Sequence, residues 1–376
     1  MDLRRRILAL CANVLGEDWA NVKARNVNVV RMRGLTNLVY IVSRERLSPE
    51  DKNDAVVLRI QSQTDYEKLI NELVVLMTLA ESGLGPKLLG VFPGGRFEQY
   101  IPSRHLQHHE VTDSRNCVLL ARLLPRFHSA TVPVSKQPSL LHMMREWLAL
   151  FGKQGTSSIQ METTSFQLPA NTFPSTLSLD DIAREIDLVE EFLSTSTSPI
   201  VFCHNDLTSG NLLLSSHSAN DPKFSIDDDA APTLADIAAN RTTSRDVSLS
   251  LVDFEFSGYN YRGFDLANYF CAAAIEHIRH DFPHYHINVG KLQDHHVMLK
   301  FCKEYVTRAK ELNISIKSEN NLLWEIEQFM PVVHLFWAIF NLYCEKDTLA
   351  IMDCAAYARD RLALFYHSRE ALEAAH

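Results

Sequence analysis

The chain has 376 residues, 46% of them hydrophobic and 22% charged, and a formal net charge of −9. That length exceeds what one small core needs and suits two lobes, and the composition is that of an ordinary soluble globular chain. The acidic balance and the lack of a long basic cluster argue against nucleic-acid binding, and no apolar run approaches the ~20 residues that span a bilayer.

Residues 1–20 read as a leading amphipathic helix; their apolar run is too brief and interrupted for a signal peptide. Val27 to Met32, Leu38 to Val42 and Ala55 to Ile60 read as three strands, the first two joined by a turn holding Gly34, Thr36 and Asn37. Tyr66 to Ala80 is predicted helical, because Leu69, Leu73, Leu76 and Ala80 recur at helical spacing. Leu88 to Phe92 and Arg96 to Tyr100 form a hairpin around Pro93-Gly94-Gly95. The pattern then turns helical: Arg115 to Ser129, Leu140 to Phe151, Asp180 to Leu193, Gly263 to Arg279, Asp294 to Lys310 and Leu322 to Tyr343. Phe151 to Ser178, rich in Ser, Thr and Gln, reads as a long exposed loop, and 215–246 as a solvated insertion. The Asp227-Asp228-Asp229 triplet inside it has no element to fix it as a metal site. Seven cysteines lie scattered without CxxC spacing and the 16 histidines include no HExxH, so neither zinc nor a disulfide framework is indicated and a reducing, cytoplasmic setting is expected.

Two segments carry the chemistry. His204-Asn205-Asp206-Leu207-Thr208-Ser209-Gly210-Asn211 and Leu251-Val252-Asp253-Phe254-Glu255-Phe256 each follow an apolar, β-prone run. Asp206 and Asn211 have the D-x-x-x-x-N spacing of a kinase catalytic loop, and Asp253 stands where such a fold puts its DFG aspartate, with Glu255 in place of the glycine. Phosphoryl transfer needs these groups. One carboxylate accepts the proton of an attacking hydroxyl, here Asp206. An amide and a second carboxylate, here Asn211 and Asp253, give oxygens to Mg²⁺ on the phosphates of ATP. His204, Asn205 and Asp265 fit loop bracing or helix capping better than reaction. Glu72 shares a helix face with Leu69 and Leu76 and is expected to point inward.

Four stretches resemble the choline/ethanolamine kinase family: Leu84 to Leu106, His204 to Asn211, Val252 to Phe270 and Glu325 to Phe365. The resemblance implies an α+β, two-lobed protein-kinase-like fold, with an antiparallel β-rich nucleotide-binding lobe over 1–102 and a helical catalytic and acceptor lobe over 103–376. It implies ATP and Mg²⁺ as cofactors and phosphorylation of a small amino alcohol, choline or ethanolamine, as the entry step to phospholipid headgroups. A homodimer is compatible with it. Arg59 takes the place of the small-lobe cation at the phosphates, with Glu72 as its partner. The loop of Gly34, Thr36 and Asn37 caps the phosphates, and Gln99, Tyr100 and Ile101 match the adenine-reading hinge. Trp337, Phe340 and Tyr357 match cage positions for the acceptor, with Phe256 where the family often has Tyr. Such a cage suits choline, whose quaternary ammonium has no N–H to donate. The family's acidic residue two positions after Phe270 is missing, since Ala272 stands there; Glu276, four residues on, would share its face of a continuing helix. That change favours the alternative, a kinase of this fold for an aminoglycoside- or sugar-like alcohol. A nucleotide-binding pseudokinase is disfavoured because Asp206, Asn211 and Asp253 are all present.

Overall fold

The computed structural model describes residues 2–32, 38–44, 55–60, 66–169, 171–216, 247–277, 280–346 and 352–373. The turn with Gly34, Thr36 and Asn37, and nearly all of the 215–246 insertion, lie outside the described residues. The chain divides into two compact units, 1–104 with 213–252, and 105–212 with 253–376. Among the described residues no helix is long and apolar enough to cross a membrane.

The first unit opens with helix α1 (Leu3–Leu15) and a five-stranded antiparallel sheet. Its strands are β1 (Val27–Met32), β2 (Leu38–Arg44), β3 (Ala55–Ile60), β4 (Leu88–Phe92) and β5 (Gly95–Gln99), in the order β1-β2-β3-β5-β4. Period-2 alternation gives the sheet two different faces. Val42, Val56, Leu58 and Phe97 point one way and form a core with Ile7, Cys11 and Trp19 from the leading segment. Gly90 permits this contact, because a Cβ there would meet Val14 Cγ1 at 2.5 Å. Arg59, Arg96 and Glu98 fall on the other face: Arg59 pairs across the ladder with Arg96, and Glu98 follows two residues after Arg96. Helix α2 (Tyr66–Glu81) supplies a buried Glu72 to these groups.

The second unit is mostly helical: α3 (Ser114–His128), α4 (Leu140–Gly152), α5 (Leu179–Thr195), α6 (Arg262–Ala273), α7 (His295–Glu311), α8 (Glu319–Tyr343) and α9 (Cys354–Ser368). Helix α8 is apolar nearly all round, as a helix enclosed by neighbours must be, and it packs against α4, α6, α7 and α9. Strand β6 (Ile200–Cys203) pairs antiparallel with strand Gly258–Tyr261, Cys203 opposite Gly258. The polypeptide leaving Cys203 and the polypeptide entering Gly258 therefore lie at the same end of this pair.

Two expectations fail in this unit. The helix that begins near Gly263 stops at Ala273 instead of running to 279, and Ile275–His277 forms a strand paired with Tyr285–Ile287. The three alanines favour helix, but β-branched Ile275 is buried in that ladder and tertiary pairing overrides propensity. The 151–178 stretch is not a free loop. Ser158–Gln160 pairs with Thr176–Ser178, with Ile159 and Leu177 buried. Asp360 of α9 accepts bonds from Thr164 N (2.7 Å), Ser165 N (3.0 Å) and Ser165 Oγ (2.7 Å). Polar composition signalled exposure there, whereas these hydroxyl and amide groups find an internal carboxylate.

Candidate active site

The loops His204–Asn211 and Asp253–Ser257 issue from the shared end of the strand pair. Two of their residues, Asn205 and Asp253, have left-handed backbones with φ of 65° and 67°. Asn and Asp tolerate that region better than most residues, but it still has to be held by surrounding structure. The fully buried Asp265, in the first turn of α6, does much of the holding. Its Oδ1 accepts from Asn205 N at 2.6 Å and its Oδ2 from His204 N at 3.0 Å. His128 Nε2 lies 3.1 Å from the same Oδ2, while His128 Nδ1 meets the Tyr305 hydroxyl at 2.7 Å. Asn205 donates from Nδ2 to Phe256 O at 2.9 Å and accepts from Asn260 Nδ2 at 2.9 Å, which ties one loop to the other. Helix α6 has Tyr261 at its N-cap, so Asp265 braces the loop rather than capping the helix. His128, Cys203 and Asp265 bring three potential donor atoms together, but the carboxylate is already committed and the Cys203 thiol, its pKa driven well up by burial, meets Asn260 O at 3.5 Å.

Replacing Asp265 by Asn puts an NH₂ against one of two backbone N–H donors. The expected result is a loss of about 2–4 kcal/mol of stability and a fall in kcat of at least tenfold, measured by thermal melts and initial rates.

Asp206 is the half-buried centre of the site. Asn211 Nδ2 donates to its Oδ2 at 2.8 Å and to its backbone oxygen at 2.9 Å, fixing the side chain. Burial first, then the charges of Asp253 and Glu255, push the Asp206 carboxyl up to about 7; the Asn211 bond opposes this. A carboxylate crowded by like charges takes up a proton unless a cation neutralises the group. The donors are all oxygen, and the excess negative charge already raises the proton affinity of Asp206. This set fits a hard divalent ion such as Mg²⁺. His105, which sequence reasoning did not single out, borders the same region: burial lowers its pKa, against the charge of Asp253 and a bond to the Gly210 backbone.

In the first unit, Glu72 does point inward. Its Oε1 accepts from Arg96 Nη2 at 2.6 Å, and Glu98 Oε1 lies 2.6 Å from Arg96 Nε and 3.4 Å from Arg59 Nε. Arg96 and Glu98, which sequence reasoning did not single out, are thus partners of Glu72 and Arg59 here. Burial works against the Arg96 charge, but Glu98 and Glu72 outweigh it and hold the guanidinium pKa up. At the hinge, Gln99 N donates to Lys87 O at 2.8 Å and the Ile101 carbonyl accepts from Ser103 Oγ at 2.8 Å.

The anticipated acceptor residues fall into two groups. Phe256, Trp337 and Phe340 pack edge to face, with centroids 5.3, 5.6 and 5.5 Å apart, and Trp337 Nε1 donates to Asn268 Oδ1 at 2.7 Å. Tyr357 belongs to a second cluster, 5.6 Å from His277 and 4.9 Å from Tyr285. Its hydroxyl is close enough to Asp206 for that charge to raise its pKa, although burial is the larger cause. Glu276 does not follow Ala272 on a helix face, because the helix has ended. It lies in the short strand opposite His286, and its neighbour His277, not Glu276, packs on Tyr357. Adjacent strand residues point to opposite faces, so the two cannot serve the same wall.

Comparison with known proteins follows the same lines. The family model described as Choline/ethanolamine kinase matches residues 29–366. "Choline kinase A2" of Caenorhabditis elegans is 33% identical over 99% of this chain and 87% of its own length. "Choline/ethanolamine kinase" of Homo sapiens is 30% identical over 100% of this chain and 88% of its own. Among solved structures, choline kinase from Cryptosporidium parvum Iowa II superposes with a TM-score of 0.72 at 19% identity, covering 98% of this chain and 96% of that one, a likeness of fold.

Proposed function

Since the chain belongs to the choline/ethanolamine kinase family, we propose that it transfers the γ-phosphoryl group of ATP to choline or ethanolamine with Asp206 as the base and Asn211 and Asp253 as the ligands of Mg²⁺. The observation that carries this is Asp206: a half-buried carboxylate, fixed by Asn211 and beside Asp253, with a pKa held near 7. The pKa of a primary alcohol is far above neutrality, so Asp206 orients the hydroxyl and takes its proton as the new P–O bond forms and the bond to ADP breaks. Bound Mg²⁺ would neutralise charge on the phosphates. Asp265 keeps the loop in its left-handed turn so that Asp206 meets the hydroxyl. Arg59, kept in place by Glu98 within the first unit, is the residue that the family resemblance assigns to the nucleotide phosphates, a role its planar donors suit. The mutually perpendicular rings of Phe256, Trp337 and Phe340 offer faces and edges to the acceptor's ammonium end.

Two experiments test this reading. Turnover assayed over choline, ethanolamine and their methylated intermediates, with Mg-ATP, should give ADP and phosphomonoester in equal amounts; ADP release independent of any acceptor refutes it. Trp337→Ala should then raise the KM of choline more than that of ethanolamine. Cation–π attraction over an indole is worth about 0.5–2 kcal/mol, a several-fold effect. Equal changes for both alcohols remove Trp337 from the ammonium site.

A further inference from the structure

Behind Tyr357 lies a charge that the proposed reaction does not use. Arg361, on α9, is only 2% exposed. Its Nη1 donates to His334 Nδ1 at 2.8 Å, and its guanidinium carbon sits 5.3 Å from the Tyr357 ring centroid. His334 Nε2 is in turn 3.6 Å from Cys271 Sγ. The titratable side chains around Arg361 itself, His334, His277 and Cys271, are neutral near pH 7. Burial, reinforced by Arg361 itself, lowers His334 well below its ordinary value and His277 to about 4, and burial raises the Cys271 thiol to about 12. Among the described residues no carboxylate bonds to Arg361. Asp360, next to it in the chain, is occupied by Thr164, Ser165 and the Tyr285 hydroxyl. The Arg361 Nε–H finds no acceptor either. A guanidinium cannot shed its proton to escape this position, and a buried charge without a counter-ion acts over a long range.

We propose that Arg361 sets acceptor specificity by placing an uncompensated positive charge against Tyr357, so that this wall of the pocket disfavours a permanently cationic acceptor. A cation approaching Tyr357 meets a ring whose quadrupole is already engaged by Arg361. The charge behind the ring repels it, whereas Phe256, Trp337 and Phe340 carry no such burden. The pocket therefore discriminates less between a quaternary alcohol and its uncharged isostere than four free aromatic walls would. This inference rests on the acceptor reading given above and extends it to Tyr357, which lies near enough to Asp206 to feel its charge.

The test compares binding of choline with binding of 3,3-dimethylbutan-1-ol, the same shape with carbon in place of nitrogen, by titration calorimetry of the full chain. Arg361→Met, which removes the charge and keeps the length, should raise the preference for choline over the neutral alcohol at least threefold. A purely structural role would weaken both alcohols alike and leave the ratio unchanged. Arg361→Gln, which loses the charge and keeps an N–H donor for His334, provides a second variant should Arg361→Met fail to fold. The same threefold rise is expected. A ratio that moves less than threefold in the folded variant overturns the proposal. Choline turnover by the wild type alongside an unmoved ratio leaves the acceptor reading standing and removes only the role of Arg361. A wild type that neither binds nor phosphorylates either alcohol overturns both.

Discussion

Asp206→Asn should abolish phosphoryl transfer and, in metal-free protein at pH 8, raise the melting temperature. The loss of activity follows from the loss of the proton acceptor, an effect of about 10²–10⁴-fold or more in kcat. The gain in stability follows from linkage. The folded-state pKa of Asp206 is about 7, above the ordinary carboxylate value, because burial and the charges of Asp253 and Glu255 resist its ionisation. The native state therefore holds the proton more tightly than the unfolded chain. Stability from this group is greatest below about pH 4, declines as pH rises towards 7, and the whole penalty is present above 7. Removing the charge relieves that penalty, on the order of 1–3 kcal/mol after allowing for partial exposure, or a few degrees in Tm. The difference between variant and wild type should shrink as pH falls towards 5. A variant that retains wild-type kcat removes Asp206 from the chemistry; one that loses activity and also melts lower at pH 8 contradicts the electrostatic account.

Asp253→Ala should behave differently. It takes away a charged oxygen donor next to Asp206, so Mg-ATP affinity is expected to fall at least tenfold along with the rate, and the Mg²⁺ concentration needed for half-maximal rate should rise. The backbone adds a second cost, since Ala tolerates a φ of 67° less well than Asp. Asp253→Asn separates the two effects, because Asn accepts the left-handed backbone and keeps one oxygen while losing the charge. An unchanged Mg²⁺ dependence in both variants means that Asp253 holds no metal.

The two catalytic segments were legible in the sequence because each is a short local motif behind an apolar strand, and local spacing survives folding. The strands and helix of the first unit were legible for a related reason: period-2 and period-3.6 patterns follow from which face is buried. What the sequence hid was long-range partnership. The Glu72 carboxylate on α2 meets Arg96 on β5, 24 residues away, through helix-on-sheet packing that single-sequence patterns do not reveal. Asp265 reaches across 60 residues to brace Asn205. Glu276 is not where helical spacing from Ala272 puts it, because α6 ends at Ala273 and a two-strand ladder claims the residues beyond. Arg361 carries no motif, and its importance comes only from the neutral shell that α6, α8 and α9 close around it.

The central claim is that this chain moves a phosphoryl group from ATP to an amino alcohol through Asp206. Phosphorus NMR of the wild type and Asp206→Asn, each given Mg-ATP with choline and then with ethanolamine, tests it most directly. The account predicts ADP and the alcohol's phosphomonoester rising together with the wild type, and neither with the variant although it still binds nucleotide. Phosphomonoester formed at an undiminished rate by Asp206→Asn, or ADP formed by the wild type without a phosphorylated alcohol, would contradict it.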